Sequence, residues 1–183
     1  MRRLVILPQN IVDTSRKYGH AIVQWYAANP DAAVRAGIWG AELDPERQGH
    51  GKAGEYAVAQ YCGLPRSAVR SDVGNGADKG EDLVAYGQRI DAKCTPTWKQ
   101  WLLWSQAVND LYWSKAFDVI VSVSIDDQDW SRCWIEGWLT KQEFFHYKKI
   151  ADGSNDAGKL TRGTWFMDKQ PLPDIHTLRA GCI

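Results

Sequence analysis

The chain has 183 residues, 44% hydrophobic and 24% charged, enough to bury a core in one domain and too apolar for intrinsic disorder. Basic and acidic residues balance at 22 each, which excludes a protein that coats nucleic acid by bulk charge and leaves room only for a local basic cleft. No apolar run approaches the ~18 to 20 residues of a membrane span, so a soluble chain without membrane contact is expected.

The opening "MRRLVILPQN" begins like a signal peptide, but its apolar run stops at Pro8 and reads as a short strand or arm. From Asp13 to Asn29, apolar residues at Tyr18, Ala21, Ile22, Trp25 and Tyr26 have helical spacing, with Asp13 or Thr14 as N-cap. "AELDPERQGHG" reads as a connection, and "KAGEYAVAQYCGLP" as a compact helix stopped by Gly63 and Pro65. "RSAVRSDVGNGADKGE" starts as a possible strand and becomes a glycine-rich loop; no G-K-[ST] follows, so it is not a phosphate loop. After the stretch "GEDLVAYGQRIDAKCT", the segment following Pro96 fits either a helix or a strand and then a helix. "FDVIVSVSI" and "SRCWIEGWL" read as antiparallel strands around the turn "DDQD". "TKQEFFHYKKI" is a short helix with Thr140 and Glu143 at capping-box spacing, "TWFMD" a last strand, and "PLPDIHTL" irregular.

Cys62, Cys94, Cys133 and Cys182 are widely spaced, without a C-x-x-C pair or a histidine at zinc-ligand spacing, and read as reduced thiols in a cytoplasm. The ten tryptophans read as core and rim packing, with base stacking as the alternative.

The chemistry concentrates in residues 80–95. In a strand, side chains two apart point the same way, so Asp91 and Lys93 share one face and Ile90, Ala92 and Cys94 the other. A two-residue loop, Gly87-Gln88 or Tyr86-Gly87, brings Asp82 diagonal to or opposite Asp91, whereas a three-residue loop puts the two on opposite faces. Converging carboxylates repel unless a cation lies between them, and hard oxygen ligands suit magnesium or manganese. A lysine two residues from a ligand can then orient water or stabilise developing negative charge. Glu55, an acid in a helix of small and apolar residues, is a further candidate.

These residues resemble the PD-(D/E)xK nuclease superfamily, whose core is a helix, a three-stranded stretch, a helix and a further strand; the match runs from about Lys52 to Ile125. The later "GWLTKQEF" and "GTWFMD" look like accessory regions of small phage-type or restriction-like members. The resemblance implies an α/β fold with a restriction-endonuclease-like αβββαβ core, a mixed central sheet flanked by helices, in one domain. Residues 1–50 would be an N-terminal helical extension, 51–139 the core and 140–183 an accessory region. It further implies that Asp82, Asp91 and the carbonyl of Ala92 bind magnesium or manganese with Glu55, and that Lys93 positions the attacking water. The site departs from the name motif: Glu81 stands where Pro is usual, and only eight residues separate the two aspartates, which makes Asp78 a rival for the first metal position. His50, Lys52 and Lys99 are candidate nucleic-acid contacts. The expected activity is metal-dependent hydrolysis of phosphodiester bonds in DNA, with RNA left open and sequence specificity requiring loops, a homodimer or a partner. The alternative is a catalytically inactive module of the same fold that binds nucleic acid or protein.

Overall fold

The computed structural model describes residues 2–32, 44–70, 73, 81–97, 101–104, 116–147, 149–150, 165–168 and 172–180. Strand β1 (Arg3–Ile6) leads into α1 (Gln9–Ala28) and α2 (Pro45–Tyr61), followed by a single 3-10 turn at Arg66–Ala68. The hairpin β2 (Leu83–Ala85) and β3 (Gln88–Pro96) comes next, then β4 (Trp101–Trp104), β5 (Val119–Ile125) and β6 (Arg132–Thr140). Helix α3 (Lys141–Tyr147), β7 (Lys149–Ile150), β8 (Trp165–Asp168) and α4 (Ile175–Ala180) complete the order. The chain is mixed α/β. A five-stranded sheet has the order β1-β6-β5-β3-β2, and a three-stranded sheet the order β4-β8-β7. In the larger sheet β3 and β5 are parallel and every other pairing is antiparallel. Among the described residues no helix is long and apolar enough to cross a membrane.

The β-branched run of β5 is buried at every position, as the middle strand of a sheet covered on both faces requires. Its residues divide between two cores. Val121 and Val123 join Ile90, Ala92 and Ile135 against Ala53, Ala57 and Val58 of α2. Ile120 joins Phe117, Leu139 and Phe144 in a smaller cluster. The capping box forms as its spacing predicts: Glu143 N–H donates to Thr140 Oγ1 at 3.1 Å, and Thr140 N–H to Glu143 Oε2 at 2.8 Å.

Four expectations are corrected. The possible strand at the start of "RSAVRSDVGNGADKGE" is the 3-10 turn Arg66–Ala68. Helix α1 begins four residues before Asp13, because the carbonyl of Pro8 accepts from Ile11 and Val12 N–H at 2.9 and 3.3 Å. Asp13 and Thr14 act inside the helix instead of capping it, bonded to Gln9 and to the carbonyl of Asn10. The expected connection before α2 is half helix: Asp44 caps Glu46 N–H at 3.0 Å and Pro45 takes the first helical position, where its missing N–H costs nothing. The tail is not irregular. Asp174 caps α4 by accepting from His176 N–H at 3.1 Å while its other oxygen pairs with Arg3 at 2.9 Å, and Ile175 and Leu178 enter the main core.

Cys62, Cys94 and Cys133 are reduced thiols. Burial pushes the thiol of Cys133 up to about 12, with Asp129 adding to the effect, so it stays protonated at neutral pH.

Candidate functional site

The hairpin turn is two residues long. Ala85 pairs with Gln88, leaving Tyr86-Gly87 as the loop, and both residues have positive φ, 51° and 74°. That is the type I′ geometry, whose twist matches the flanking strands. Gly87 adopts it freely, whereas Tyr86 is held there by packing of its ring on the main core. The register Leu83↔Ile90 makes Asp82 and Asp91 the next facing positions.

Asp82 does not spend its carboxylate on Asp91. Its Oδ2 accepts from the N–H of Ala92 at 2.7 Å, while its own N–H donates to the carbonyl of Ile90 at 2.8 Å. Both bonds lie on the side of β3 that β2 covers only as far as Leu83, so the N–H and C=O of Ala92 point to the stretch left open by the end of β2.

Asp91 is 1% exposed. Its Oδ1 accepts from Lys93 Nζ at 2.8 Å, as side chains two apart on one strand face allow, and its Oδ2 is buried without a hydrogen-bond partner among the described residues. Leaving a buried acceptor unmade costs about 1–3 kcal/mol, so this oxygen marks a place shaped for a cation or donor. Lys141 also stands on this side. Burial and the Arg89 charge pull its ammonium below the usual lysine range, against the attraction of Asp118 and Asp91. Arg89 forks onto Asp118 at 2.6 and 3.0 Å and fixes the start of the parallel pair; these bonds hold the Asp118 carboxyl below its ordinary range.

Glu55 lies on α2, which approaches β3 closely at Gly54, where an added Cβ would stand 2.6 Å from Cys94 Cβ, on the face of the strand opposite Asp91 and Lys93. Gly54→Ala pits a gain of about 1 kcal/mol in helix propensity against overpacking of about 1–3 kcal/mol. Because both clashing atoms are fixed to main chain, overpacking wins. Urea denaturation is expected to show a net loss for Gly54→Ala that Cys94→Gly in the same chain partly restores.

The Glu55 side chain is 13% exposed and accepts from Lys52 Nζ at 2.5 Å. Burial works to lower the Lys52 pKa, but Glu55, Tyr18 and Asp82 together outweigh it and raise it. Lys52 and His50 lie within α2, not before it, and are 5% and 6% exposed; His50 stacks on Trp130 at 4.2 Å. Asp78 and Lys99 lie outside the described residues. Glu81 pairs with Arg70 at 3.6 Å.

The structure thus joins Asp91 to Lys93, Glu55 to Lys52, and Asp82 to the main chain of Ala92. Among the described residues no three His, Cys, Asp or Glu side chains stand together as a ligand set. The donor types nevertheless fit a hard divalent ion: two carboxylates, one of them with a buried oxygen that has no hydrogen-bond partner among the described residues, and a carbonyl at an open edge. Sequence reasoning missed Lys52 as the counter-charge of Glu55, although their i,i+3 spacing on one helix was a readable signal. Compared with known families, curated proteins and solved structures, the chain matches none.

Proposed function

We propose that this chain is a magnesium- or manganese-dependent nuclease that hydrolyses phosphodiester bonds in DNA on a PD-(D/E)xK core. The observation that carries the reading is Asp91, a buried carboxylate with one oxygen on Lys93 and the other without a hydrogen-bond partner among the described residues, one residue from a main-chain group that Asp82 engages. The order of helix α2, hairpin β2–β3 and parallel strand β5 supports the restriction-endonuclease-like topology.

Asp91, Asp82 and the Ala92 carbonyl would hold the ion, with Glu55 assigned beside them by the resemblance. When bound, a divalent ion supplies positive charge to a phosphoryl oxygen and to the attacking water. Lys93 Nζ, held 2.8 Å from Asp91 Oδ1, is placed to orient that water and to stabilise charge building on the phosphoryl group. Asp82, by accepting from the N–H of Ala92, holds the Asp91–Ala92 peptide that precedes that carbonyl.

Purified chain is expected to relax or degrade supercoiled plasmid with magnesium or manganese and to stop when the metal is chelated. Intact plasmid under all these conditions sinks the reading. A second reading is favoured by the two ion pairs, Lys93–Asp91 and Lys52–Glu55, which offset carboxylate charge without any metal. It is a module of the same fold that binds nucleic acid or protein without cutting. Salt-sensitive DNA binding with no manganese binding decides for it.

A further inference from the structure

Strand β1 ends the five-stranded sheet, and among the described residues it carries two of the three exposed large apolar side chains. Leu4 is 51% and Ile6 53% exposed, while Val5 between them is buried in the main core. The main chain of the same two residues faces outward. Leu7 N–H donates to the carbonyl of Ser131 at 2.8 Å, and the register Val5↔Cys133 and Arg3↔Ile135 continues that pattern, so β1 bonds to β6 at its odd positions. The N–H and C=O groups of Leu4 and Ile6 therefore point away from β6, to an edge where no further strand lies among the described residues. At that edge the carbonyl of Ile6 accepts from the exposed Gln60 side chain at 2.9 Å. Edge strands that stay single are commonly blunted by Lys, Pro or a bulge; β1 offers Leu and Ile instead.

The occupant that fits this edge is the same edge of a second copy. Antiparallel pairing of β1 with β1 about a two-fold axis at Val5 sets Leu4 across from Ile6 of the second copy, and Ile6 across from its Leu4. Both pairs exchange their outward N–H and C=O groups. Centring the axis on Leu4 leaves Ile6 opposite Arg2, and centring it on Ile6 leaves Leu4 opposite Pro8. Only the register about Val5 matches both aliphatics. It also sets Arg2 across from Pro8 and Arg3 across from Leu7, so no guanidinium directly faces another. Because Leu4 pairs with Trp134 and Ile6 with Arg132, each row across the junction reads Trp134, Leu4, Ile6, Arg132. Arg2 and Arg132 lie 5.4 and 5.3 Å from the centre of the Trp134 ring, which holds both charges beside the indole at the ends of these rows.

We propose that the chain forms a symmetric dimer through the β1 edge, joining two five-stranded sheets into one of ten strands with Leu4 packed on Ile6 of the second copy. A two-fold contact uses the same patch on both chains and closes at two. The junction is short and lies at the small end of specific interfaces, so the dimer is a weak one. It needs neither metal nor nucleic acid and goes beyond the preceding reading without resting on it.

Sedimentation of the full chain from about 1 to 500 µM, without metal or nucleic acid, tests this. Wild type is expected to pass from one chain to two with a midpoint on the order of 10–100 µM. Leu4→Glu and Ile6→Lys are each expected to raise that midpoint at least about tenfold, since each sets two charges against aliphatic side chains in every dimer. Both positions are half exposed in the single chain, so melting temperatures at low concentration should match wild type. An equimolar mixture of the two variants is expected to recover the dimer, because the register about Val5 brings the two substituted positions together with opposite charge. Wild type that stays a single chain at every concentration overturns the inference in favour of a strand from another protein at this edge. A wild-type dimer whose midpoint neither variant moves overturns it in favour of another surface. Failure of the mixture to recover overturns the pairing of Leu4 with Ile6. Every one of these outcomes leaves the metal site standing.

Discussion

Asp91→Asn is expected to cut magnesium-dependent cleavage of plasmid DNA by about 10²–10³-fold or more while leaving the melting temperature close to that of wild type. The activity loss follows from removing the anionic oxygen that has no protein partner. The small stability effect follows because the weakened Lys93 pair is offset by relief of a buried charged oxygen that costs stability, and the amide oxygen of Asn still accepts from Lys93. Lys93→Ala should remove activity on a similar scale but behave differently in the melt. It strands a carboxylate that is 1% exposed, and breaking a buried pair from one side costs about 3–5 kcal/mol. Equal cleavage by wild type and Asp91→Asn, measured under identical metal concentrations, removes Asp91 from the site.

Lys52→Ala is expected to lower unfolding free energy by about 3–5 kcal/mol, because Glu55 keeps its charge at 13% exposure while its closest cation disappears. Glu55→Gln in the same chain should return much of the loss, since a neutral amide does not require that cation. The pH dependence has a definite sign. Lys52 is raised in the folded state above its ordinary value of 10.5, so its contribution is fully present below that value and is lost as pH rises through the folded one. Urea midpoints of wild type and Lys52→Ala should therefore differ by a constant amount between neutral pH and the onset of lysine titration, and converge only beyond it. Convergence already at neutral pH would show that Lys52 does not hold Glu55 in the folded chain.

What was legible in the sequence was local. The facing of Asp82 and Asp91 followed from counting residues in an even loop, and the capping box at Thr140 from a four-residue pattern. Which even loop forms was not legible: turn chemistry allows Gly at the first position, as in Gly87-Gln88, but burying the Tyr86 ring outweighs the cost of its positive φ. Other features depend on distant partners. The tail helix is pinned by Arg3, 171 positions away, and by the Trp138 indole, which donates to the Asp174 carbonyl at 3.1 Å. Nothing local to Lys52 reveals that the Arg70 carbonyl and the Tyr18 ring close over it. The same limit applies to the orphaned oxygen of Asp91, since burial comes from the packed sheet and not from the triplet Asp91-Ala92-Lys93.

The parallel pairing of β3 with β5 bears on the order in which the chain assembles. A two-residue turn closes β2 on β3 locally, on the scale of microseconds, whereas β5 joins only after closure of the long connection from Thr97 to Asp118. Contact order therefore favours a sequence of events in which the hairpin sets its register in water and β5 later withdraws Asp91 from solvent. At that moment a distant counter-ion need not yet have arrived, but Lys93 is on the same strand two residues away. The Asp-x-Lys spacing thus guards a nascent chain against burying a bare charge, independently of what the lysine later does in a reaction.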